Sequence, residues 1–299
     1  MTGSDRPVLV TGGNGQLGME LQRCAWPGGY QVIATGRSDL DLTDSAMIAA
    51  KVAERDWAAV INAAAYTAVD RAETDAVAAW QVNALAPAAF GQACAAAGIP
   101  LVQVSTDYVF AGDRPGARQV GDPVAPLGVY GASKLGGELA VRTSGARHAI
   151  VRTAWVVSAH GSNFVRTMLR VGAERGALRV VDDQRGSPTG AADLAHALMT
   201  VATRLAKDDR APTGTFHFSN AGETSWAGFA REIFRQSGAR GGPVATVEPI
   251  TTADYPTAAA RPANSLLSHD AIRDGYGIAP RPWQNALGDI LDELIGAVK

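Results

Sequence analysis

A chain of 299 residues is long enough to bury one large or two medium-sized hydrophobic cores. Its 27 basic and 29 acidic residues leave a net charge of −2, which points to neither nucleic acid nor a membrane surface as a partner. No apolar run approaches the roughly 20 residues of a spanning helix, and no charged start followed by an apolar stretch suggests a signal peptide, so we expect a cytoplasmic protein.

The first half of the chain alternates short apolar runs with helical segments. The patterns predict strands at 7–10, 30–34, 58–62, 101–105 and 149–152, and helices at 16–24 and 74–97. Pro87 is expected to break the second of these helices or to begin a new one. Cys24 and Cys94, the only cysteines, are predicted to be reduced thiols in the core. This alternation is typical of an α/β fold with a Rossmann-type, doubly wound parallel sheet.

The second half is less regular and contains Pro- and Gly-rich connections. Its patterns predict helices at 163–173, 191–205, 225–236 and 283–298, and strands at 178–181 and 215–218. Thr224 or Ser225 is placed to cap the third of these helices. We therefore predict a dinucleotide-binding Rossmann domain at 1–152, which elements from about 164–235 rejoin, and a smaller, mixed α/β part at 153–299 that mostly binds substrate.

A glycine-rich loop follows the first strand. Gly12, Gly15 and Gly18 have the spacing of a dinucleotide-binding turn, in which the first two glycines let the backbone approach the pyrophosphate and the third lets the helix pack on the strand. The amide groups around Gly15, Gln16 and Leu17, at the start of the helix, would meet the phosphates. A glycine turn without a ligand is the alternative, and the position directly after a first strand favours a cofactor.

The end of the second strand bears on the choice between NADPH and NADH. An acidic residue there would bind the ribose hydroxyls and select NAD. The strand ends instead with Arg37, whose guanidinium suits the 2′-phosphate of NADPH, unless it is only a solvated surface charge. Further cofactor contacts are predicted for Asp41 and Leu42 beside the adenine, and for Ala64, Ala65, Tyr66 and Thr67, where small residues let the backbone lie against the cofactor.

Tyr130 and Lys134 lie four residues apart, and side chains with this spacing share one face of a helix. An ammonium beside a phenol favours the ionised form, so Lys134 is expected to lower the pKa of Tyr130 from its usual value of about 10. Such a phenol can give or take a proton at a carbonyl or carbinol oxygen. The spacing alone is common by chance, but downstream of a glycine-rich loop it predicts an enzyme that transfers a hydride.

With these motifs assembled, the sequence resembles the extended short-chain dehydrogenase/reductase superfamily and, within it, the dTDP-4-dehydrorhamnose reductase family. The resemblance runs in order along nearly the whole chain. The matching stretches are 15–21, 62–70, 105–110, 130–138, 152–156, 183–189 and 261–265. Two of them, Ser105-Thr106-Asp107-Tyr108-Val109-Phe110 and Asp183-Gln184-Arg185-Gly186-Ser187-Pro188-Thr189, are far more specific than the superfamily motifs.

The resemblance implies an enzyme that uses NADPH or NADH to reduce the 4-keto group of dTDP-6-deoxy-L-lyxo-4-hexulose. The product, dTDP-L-rhamnose, enters cell-surface polysaccharides such as lipopolysaccharide. Thr106, Tyr130 and Lys134 match the family's catalytic residues. Thr106 and Asp107 also match its sugar-contacting pair, and Trp155 matches its sugar-facing tryptophan.

The pocket for a nucleotide sugar needs cations, planar groups and hydrogen-bond donors, because the ligand carries two phosphates, a base and a hydroxyl-rich ring. Arg261 and Asn264, on either side of the rigid Pro262, offer such donors. We predict that they line the nucleotide side of the pocket and that Trp155 lines the sugar side. The alternative for Arg261 is an ion pair with a surface carboxylate.

Some members of the family hold a magnesium ion between glutamates of two subunits. Glu20 and Glu293 match two of those positions, but the third is Ala192, with Asp193 beside it. The resemblance therefore assigns no metal site here, and it leaves both a magnesium ion and a homodimer open. The five histidines have no metal-ligand spacing.

Four other functions remain open at this point. A sugar-nucleotide dehydratase would need a glutamate beside an aspartate after Thr106, and the chain has Asp107-Tyr108. An epimerase needs no such acid, although the matches in the second half argue against it. A 4-ketoreductase for a different nucleotide sugar is the leading alternative among enzymes. A non-catalytic NADP-binding regulatory subunit, like that of methionine adenosyltransferase, is disfavoured by the intact Thr106, Tyr130 and Lys134.

Overall fold

The computed structural model of the protein describes residues 6–297, in which twelve strands alternate with eleven α-helices. The strands are β1 (Val8–Thr11), β2 (Val32–Thr35), β3 (Ala59–Asn62), β4 (Leu101–Thr106), β5 (His148–Thr153), β6 (Val156–Val157), β7 (Ala177–Val181), β8 (Arg185–Gly186), β9 (Thr189–Gly190), β10 (Gly214–His217), β11 (Thr224–Ser225) and β12 (Thr246–Ile250). The helices are α1 (Gln16–Arg23), α2 (Ser45–Ala53), α3 (Val69–Ala72), α4 (Ala76–Trp80), α5 (Ala86–Ala97), α6 (Val129–Thr143), α7 (Phe164–Glu174), α8 (Ala191–Lys207), α9 (Trp226–Ala239), α10 (Asp270–Tyr276) and α11 (Trp283–Leu294).

A six-stranded sheet in the order β10-β5-β4-β3-β1-β2 forms the centre of the fold, and every neighbouring pair of its strands is parallel. The predicted doubly wound parallel sheet is therefore confirmed. The chain leaves β1 towards β2 on one side and returns to β3 on the other, so the carboxyl ends of β1 and β3 form the topological switch point at which such folds bind ligands. The ends of β4 and β5, at Thr106 and Thr153, lie at the same edge.

Both faces of this sheet are buried, which explains why its strands are continuous apolar runs. Helices α1, α8 and α10 cover one face, with Leu21 and Leu198 among the core residues. Helices α2, α5 and α6 cover the other face, with Ile48, Phe90 and Val141 in the core. The sheet thus supplies a rigid platform whose carboxyl edge carries the polar residues described below.

A third hydrophobic core lies outside the central sheet. Helices α7, α9 and α11 bury Val165, Phe229 and Leu287 together, and the parallel pair β7 and β12 packs against them. From the predicted 164–235 segment, α8 and β10 join the central sheet, whereas α7 and α9 belong to this third core because their apolar stripes face each other. The division of the chain into two domains stays a prediction.

The structure contains elements that the sequence patterns did not predict, namely α3, α10, β12 and the two-residue strands β6, β8, β9 and β11. It differs from the predicted elements in three further respects. Residues 45–53, for which no element was predicted, form α2, whose N-terminus is capped by the Asp44 carboxylate through Ala46 N and Met47 N. The predicted helix 74–97 is divided into α4, a π-helical turn (Gln81–Leu85) and α5. Pro87 lies in the first turn of α5, as predicted, and has no N–H to donate to the preceding turn. Helix α11 ends at Leu294, and the predicted end at residue 298 lies outside the described residues.

Two sequence expectations concern the cysteines and the membrane. Cys24 and Cys94 are free, and burial raises the pKa of their thiols to about 11 and about 12.

Within residues 6–297, no helix combines the length and the apolar character that crossing a bilayer requires.

Candidate active site

The glycine-rich loop joins β1 to α1 at the switch point. Gly12 has a φ of 73°, and Gly15 is the N-cap of α1. A Cβ atom on Gly18 would lie 2.1 Å from the carbonyl oxygen of Gly12, so only glycine lets the helix pack this closely on the loop. Among the described residues no side chain caps α1, and the first-turn amides at Gln16 and Leu17 therefore remain available to an anion.

Polar side chains connect the carboxyl ends of the three central strands. The Thr11 hydroxyl donates to Asn62 Oδ1 at 2.6 Å, and Asn62 Nδ2 donates to Gln103 Oε1 at 2.8 Å. Thr11 Oγ1 also accepts a hydrogen bond from Ala64 N at 3.2 Å. These bonds hold the residues after β3 against the glycine-rich loop, where a dinucleotide would lie.

The segment after β3 is held by a residue that the sequence analysis did not single out. Asn83, in the π-helical turn, accepts a hydrogen bond from Tyr66 N (2.9 Å) and donates to Tyr66 O (3.1 Å) and to Ser133 Oγ (3.1 Å). Ala64 and Ala65 are half-buried and Thr67 is exposed. The predicted cofactor-contacting backbone is thereby fixed to the helix that carries Tyr130.

The residues predicted to contact the adenosine part lie after β2. Arg37 is exposed in the loop that follows this strand. The Asp41 carboxylate accepts hydrogen bonds from Thr43 N and Thr43 Oγ1, both at 2.8 Å, and these bonds lower its pKa. Leu42 packs against the core under α2 and α5. Arg37 and Asp41 are both exposed, but the Asp41 carboxylate is engaged by Thr43.

Tyr130 and Lys134 lie on the buried side of α6, as their spacing predicts. The Tyr130 ring meets the Tyr108 ring edge to face, with centroids 5.4 Å apart. Burial raises the pKa of Tyr130 to about 12, although a hydrogen bond with Thr106 opposes this shift. The predicted lowering by Lys134 is not what the structure shows, because Lys134 Nζ donates to Val104 O at 2.7 Å and is directed to the strand rather than to the phenol.

Lys134 is itself strongly affected by its surroundings. Its side chain is buried under α6, and desolvation lowers the pKa of the ammonium to about 8, while the Glu138 carboxylate opposes the shift. Lys134 and Tyr130 are therefore both mainly protonated at neutral pH. The site holds a proton donor and a cation side by side on one helix.

Thr106 ends β4, Asp107 begins the 3-10 turn that follows, and both lie near Tyr130. The Thr106 hydroxyl donates to Asp107 Oδ1 at 3.0 Å, and burial raises the pKa of Asp107 to about 6. Asp107 Oδ2 and Thr153 Oγ1, both buried, have no hydrogen-bond partner among the described residues, and Thr153 pairs with Thr106 in the register of the sheet. Buried polar atoms without partners are costly, and these two suit the hydroxyl groups of a polar ligand.

Trp155 lies just beyond β5 with a φ of 50°, an uncommon value for a residue with a large side chain. Its ring stacks on Trp226, with centroids 3.6 Å and planes 12° apart. The backbone of Gly186 lies against the same ring, since a Cβ atom there would be 2.6 Å from Trp155 Cε2. Sequence reasoning missed Trp226, which lies 71 positions further along the chain and has no local motif.

The polar groups of Arg261 and Asn264, predicted to bind the nucleotide, form bonds to other residues of this chain. Arg261 Nη2 lies 2.7 Å from Asp70 Oδ2, so the ion pair considered as its alternative is formed. Asn264 Nδ2 donates to Arg114 O and Gly116 O, both at 2.7 Å, and its Oδ1 accepts from Leu266 N. The amide of Asn264 is therefore fully engaged in holding two loops together. Their contact with the nucleotide stays a prediction.

A buried ion pair fixes α6 on the sheet. Both carboxylate oxygens of Glu138 are bonded by Arg152, with Nε–Oε1 2.8 Å and Nη2–Oε2 2.7 Å, and the two side chains are 0% and 1% exposed. Ser105 Oγ also donates to Glu138 Oε1 at 2.6 Å, and Arg142 Nη2 to Oε2 at 2.7 Å. The carboxylate joins the helix of Tyr130 to the residue before Thr106 and to β5.

The comparison with known proteins decides the family. A family model described as the RmlD substrate binding domain matches residues 6–295. The chain belongs to this family. A dTDP-4-dehydrorhamnose reductase of Burkholderia thailandensis is 42% identical, over 96% of this chain and 99% of the relative. A probable dTDP-4,6-dihydroxy-2-methyloxan-3-one 4-ketoreductase of Streptomyces antibioticus is 40% identical, over 97% and 96%.

A solved structure agrees with this assignment. The dTDP-4-dehydrorhamnose reductase of Bacillus anthracis in complex with NADP has a TM-score of 0.89 and 37% identity, covering 96% of this chain and 99% of that chain. The family predicted from the sequence motifs is thus confirmed, and the likeness covers nearly the whole chain.

Glu20 and Glu293, which the sequence analysis related to a magnesium site of some family members, form ion pairs within this chain. Glu20 and Glu293 come together, but Arg23 lies between them, with Nη1 2.9 Å from Glu293 Oε1 and 3.6 Å from Glu20 Oε1. The same Nη1 is 2.5 Å from His160 Nε2. Asp193, beside the missing third ligand, is bonded by Arg281 and by Asn220. The carboxylates are already neutralised by guanidinium groups and do not fit a divalent cation.

We expect Glu138→Gln to destabilise the fold strongly, because it leaves the buried Arg152 guanidinium without a counter-charge. The loss should be about 3–5 kcal/mol in the free energy of unfolding. Arg142→Ala, which removes only the partly exposed partner of the same carboxylate, should cost less than about 1 kcal/mol. Urea unfolding of both variants measures the difference, and equal losses would show that the buried pair does not anchor α6.

We expect the melting temperature of the parent protein to be the same with millimolar magnesium and with a chelator, since Arg23 neutralises Glu20 and Glu293. Arg23→Ala should lower it by about 1–2 °C, the shift for roughly 1 kcal/mol in a protein with the unfolding entropy of about 300 residues. Magnesium should restore part of that loss in the variant alone, because the two carboxylates then lack a cation. A chelator-sensitive parent protein would contradict this reading of the cluster.

Proposed function

We propose that the protein uses NADPH, or less readily NADH, to reduce the 4-keto group of dTDP-6-deoxy-L-lyxo-4-hexulose to dTDP-L-rhamnose. The observation that carries the proposal is the meeting of Thr106, Tyr130 and Lys134 beside the glycine-rich loop, at the carboxyl edge of the sheet. Family membership and about 40% identity to named dTDP-4-dehydrorhamnose reductases, over nearly the whole chain, support the same substrate class. The product would serve cell-surface polysaccharide synthesis.

The residues around the loop fit a dinucleotide. The uncapped first turn of α1, at Gln16 and Leu17, would hold the diphosphate, and Arg37 would pair with the 2′-phosphate. The backbone at Ala64 and Ala65 would lie along the cofactor. A bound NADPH supplies the hydride that the keto carbon accepts.

Tyr130 would donate its phenolic proton to the carbonyl oxygen, so that the C=O group gains one hydride and one proton and becomes CH–OH. The raised pKa of Tyr130 suits this direction, because the phenol is protonated before the reaction. The Thr106 hydroxyl, which donates to Asp107 Oδ1 in the structure, would donate instead to the substrate oxygen. The ammonium of Lys134 would offset the charge left on the phenolate and hold the ribose of the cofactor.

The substrate would extend from these residues towards the second half of the chain. Asp107 Oδ2 and Thr153 Oγ1 would meet sugar hydroxyls, and Trp155 would lie against the 6-deoxy ring. Arg261 would exchange Asp70 for a phosphate on the nucleotide side, near Asn264. Free dTDP lacks the sugar and therefore tests the nucleotide end of this pocket alone. Arg261→Ala should weaken the binding of dTDP, and Trp155→Ala should leave it unchanged.

A 4-ketoreductase for another dTDP sugar is the second candidate function. The relative from Streptomyces antibioticus, whose name specifies a different 4-keto sugar, is almost as similar as the rhamnose enzymes. Following nicotinamide absorbance with several 4-keto nucleotide sugars distinguishes the two. Highest kcat/KM for a sugar other than the lyxo-4-hexulose would favour this candidate, and no oxidation of NADPH with any of them would contradict both. A cytoplasmic location and a homodimer stay predictions.

We expect Tyr130→Phe to lower kcat by about 10²–10⁴-fold, the usual effect of removing a general acid, with NADPH affinity within roughly 3-fold of the parent. Steady-state kinetics and NADPH titration provide the two values. Tyr108→Phe, which removes a hydroxyl from the adjoining ring, should cost far less. Turnover of the Tyr130 variant near that of the parent would remove this residue from the mechanism.

We expect Arg37→Ala to weaken NADPH by about 1–2 kcal/mol and NADH by much less, because only NADPH carries the 2′-phosphate. Titration of the same variant with both cofactors makes NADH the internal control. Equal losses for the two would assign Arg37 a structural or solvated role.

A further inference from the structure

The side chain of Gln16, the first residue of α1, is held by the segment that connects β6 to α7. Asn163 Nδ2 donates to Gln16 Oε1 at 2.9 Å, and the Ser158 hydroxyl lies 3.0 Å both from Gln16 Oε1 and from His160 O, which share its one proton. Gln16 Nε2 donates to no group within residues 6–297. One end of the amide is therefore engaged and the other is left for a ligand.

The backbone around Asn163 fixes which way both amides point. Arg166 N donates to Asn163 Oδ1 at 3.2 Å, which identifies that atom as the oxygen, because a backbone N–H can only donate. The two protons of Asn163 Nδ2 are shared among three oxygens, Gln16 Oε1, Ser158 O (2.8 Å) and His160 O (3.0 Å), and the two carbonyl oxygens can only accept. The group of Gln16 that faces Nδ2 must then be an acceptor, Oε1. The opposite amide orientation would set two NH₂ groups against each other.

We infer that Ser158 and Asn163 are positioning residues, which turn the Gln16 amide so that its NH₂ group donates to the diphosphate of the bound dinucleotide. The inference rests on the proposed function, since it requires a dinucleotide at the N-terminus of α1. There the free NH₂ group adds a donor to the uncapped backbone amides of the first turn. Ser158 and Asn163 belong to the segment that follows Trp155 and β6. Residues next to the proposed sugar site would therefore set the orientation of the Gln16 amide at the proposed diphosphate site.

Asn163→Asp tests the inference sharply. The variant keeps an oxygen for Arg166 N and so keeps the cap of α7. Its second carboxylate oxygen faces Gln16 Oε1 and also the carbonyl oxygens of Ser158 and His160, which cannot turn over as the Gln16 amide can. The Gln16 amide then turns over and presents its oxygen to the phosphates. NADPH affinity, measured by fluorescence titration without substrate, should fall by about 10-fold, and Ser158→Ala should lower it by roughly 3-fold. Thermal unfolding without cofactor should show both variants folded.

The decisive measurement repeats both substitutions in a Gln16→Ala background. If the two residues act through the amide, each should then change NADPH affinity by less than about 2-fold. If Asn163→Asp acts only through its charge or by loosening α7, it should weaken NADPH as much in the Gln16→Ala background as in the parent protein. That result would overturn the inference. Gln16→Ala with the affinity of the parent protein would overturn it as well. Failure of the parent protein to bind NADPH at all would instead contradict the proposed function.

Discussion

The buried carboxylate of Glu138 is the interaction on which the geometry of the site depends. It lies one helical turn beyond Lys134 and two beyond Tyr130, so fixing it fixes the rotation and height of α6 above the sheet. Its partners are Ser105 and Arg152, on the two strands whose ends carry Thr106 and Thr153. A pair of this kind contributes little net stability. It strongly disfavours other arrangements, because any displacement of α6 along the sheet would leave a buried charge without its partner.

The polar edge of the sheet adds the second constraint. Thr11, Asn62 and Gln103 form hydrogen bonds across three strands, and Asn83 ties the residues after β3 to α6. These contacts join the glycine-rich loop to the helix that carries Tyr130 through side chains held by hydrogen bonds. Catalytic geometry of this type requires rigid support, since small misplacements of a proton donor cost large factors in rate.

Local sequence patterns predicted the parts of the molecule that repeat common designs: the buried strands, the glycine-rich loop, and Tyr130 with Lys134 on one helix face. They did not predict α2, because only Ile48 and Val52 of its residues reach the core. They also could not foresee Asn83, Trp226 or the Arg23 cluster, whose partners are distant in sequence. The predicted direction of the Tyr130 pKa shift was wrong for a related reason. The shift depends on the burial of the phenol, on the charge of the nearby Asp107 and on where the Lys134 side chain is directed.

The contact between Trp155 and Gly186 restricts how this family member can vary. The indole fills the space that any side chain at position 186 would need, and Trp226 closes the other approach to the ring. A drift to alanine at 186 could be tolerated only together with a smaller residue at 155. The glycine within the 183–189 stretch and the tryptophan after β5 are thus expected to change as a pair during evolution, and a sequence in which only one of them differs would point to a rearranged backbone at residues 155 and 186.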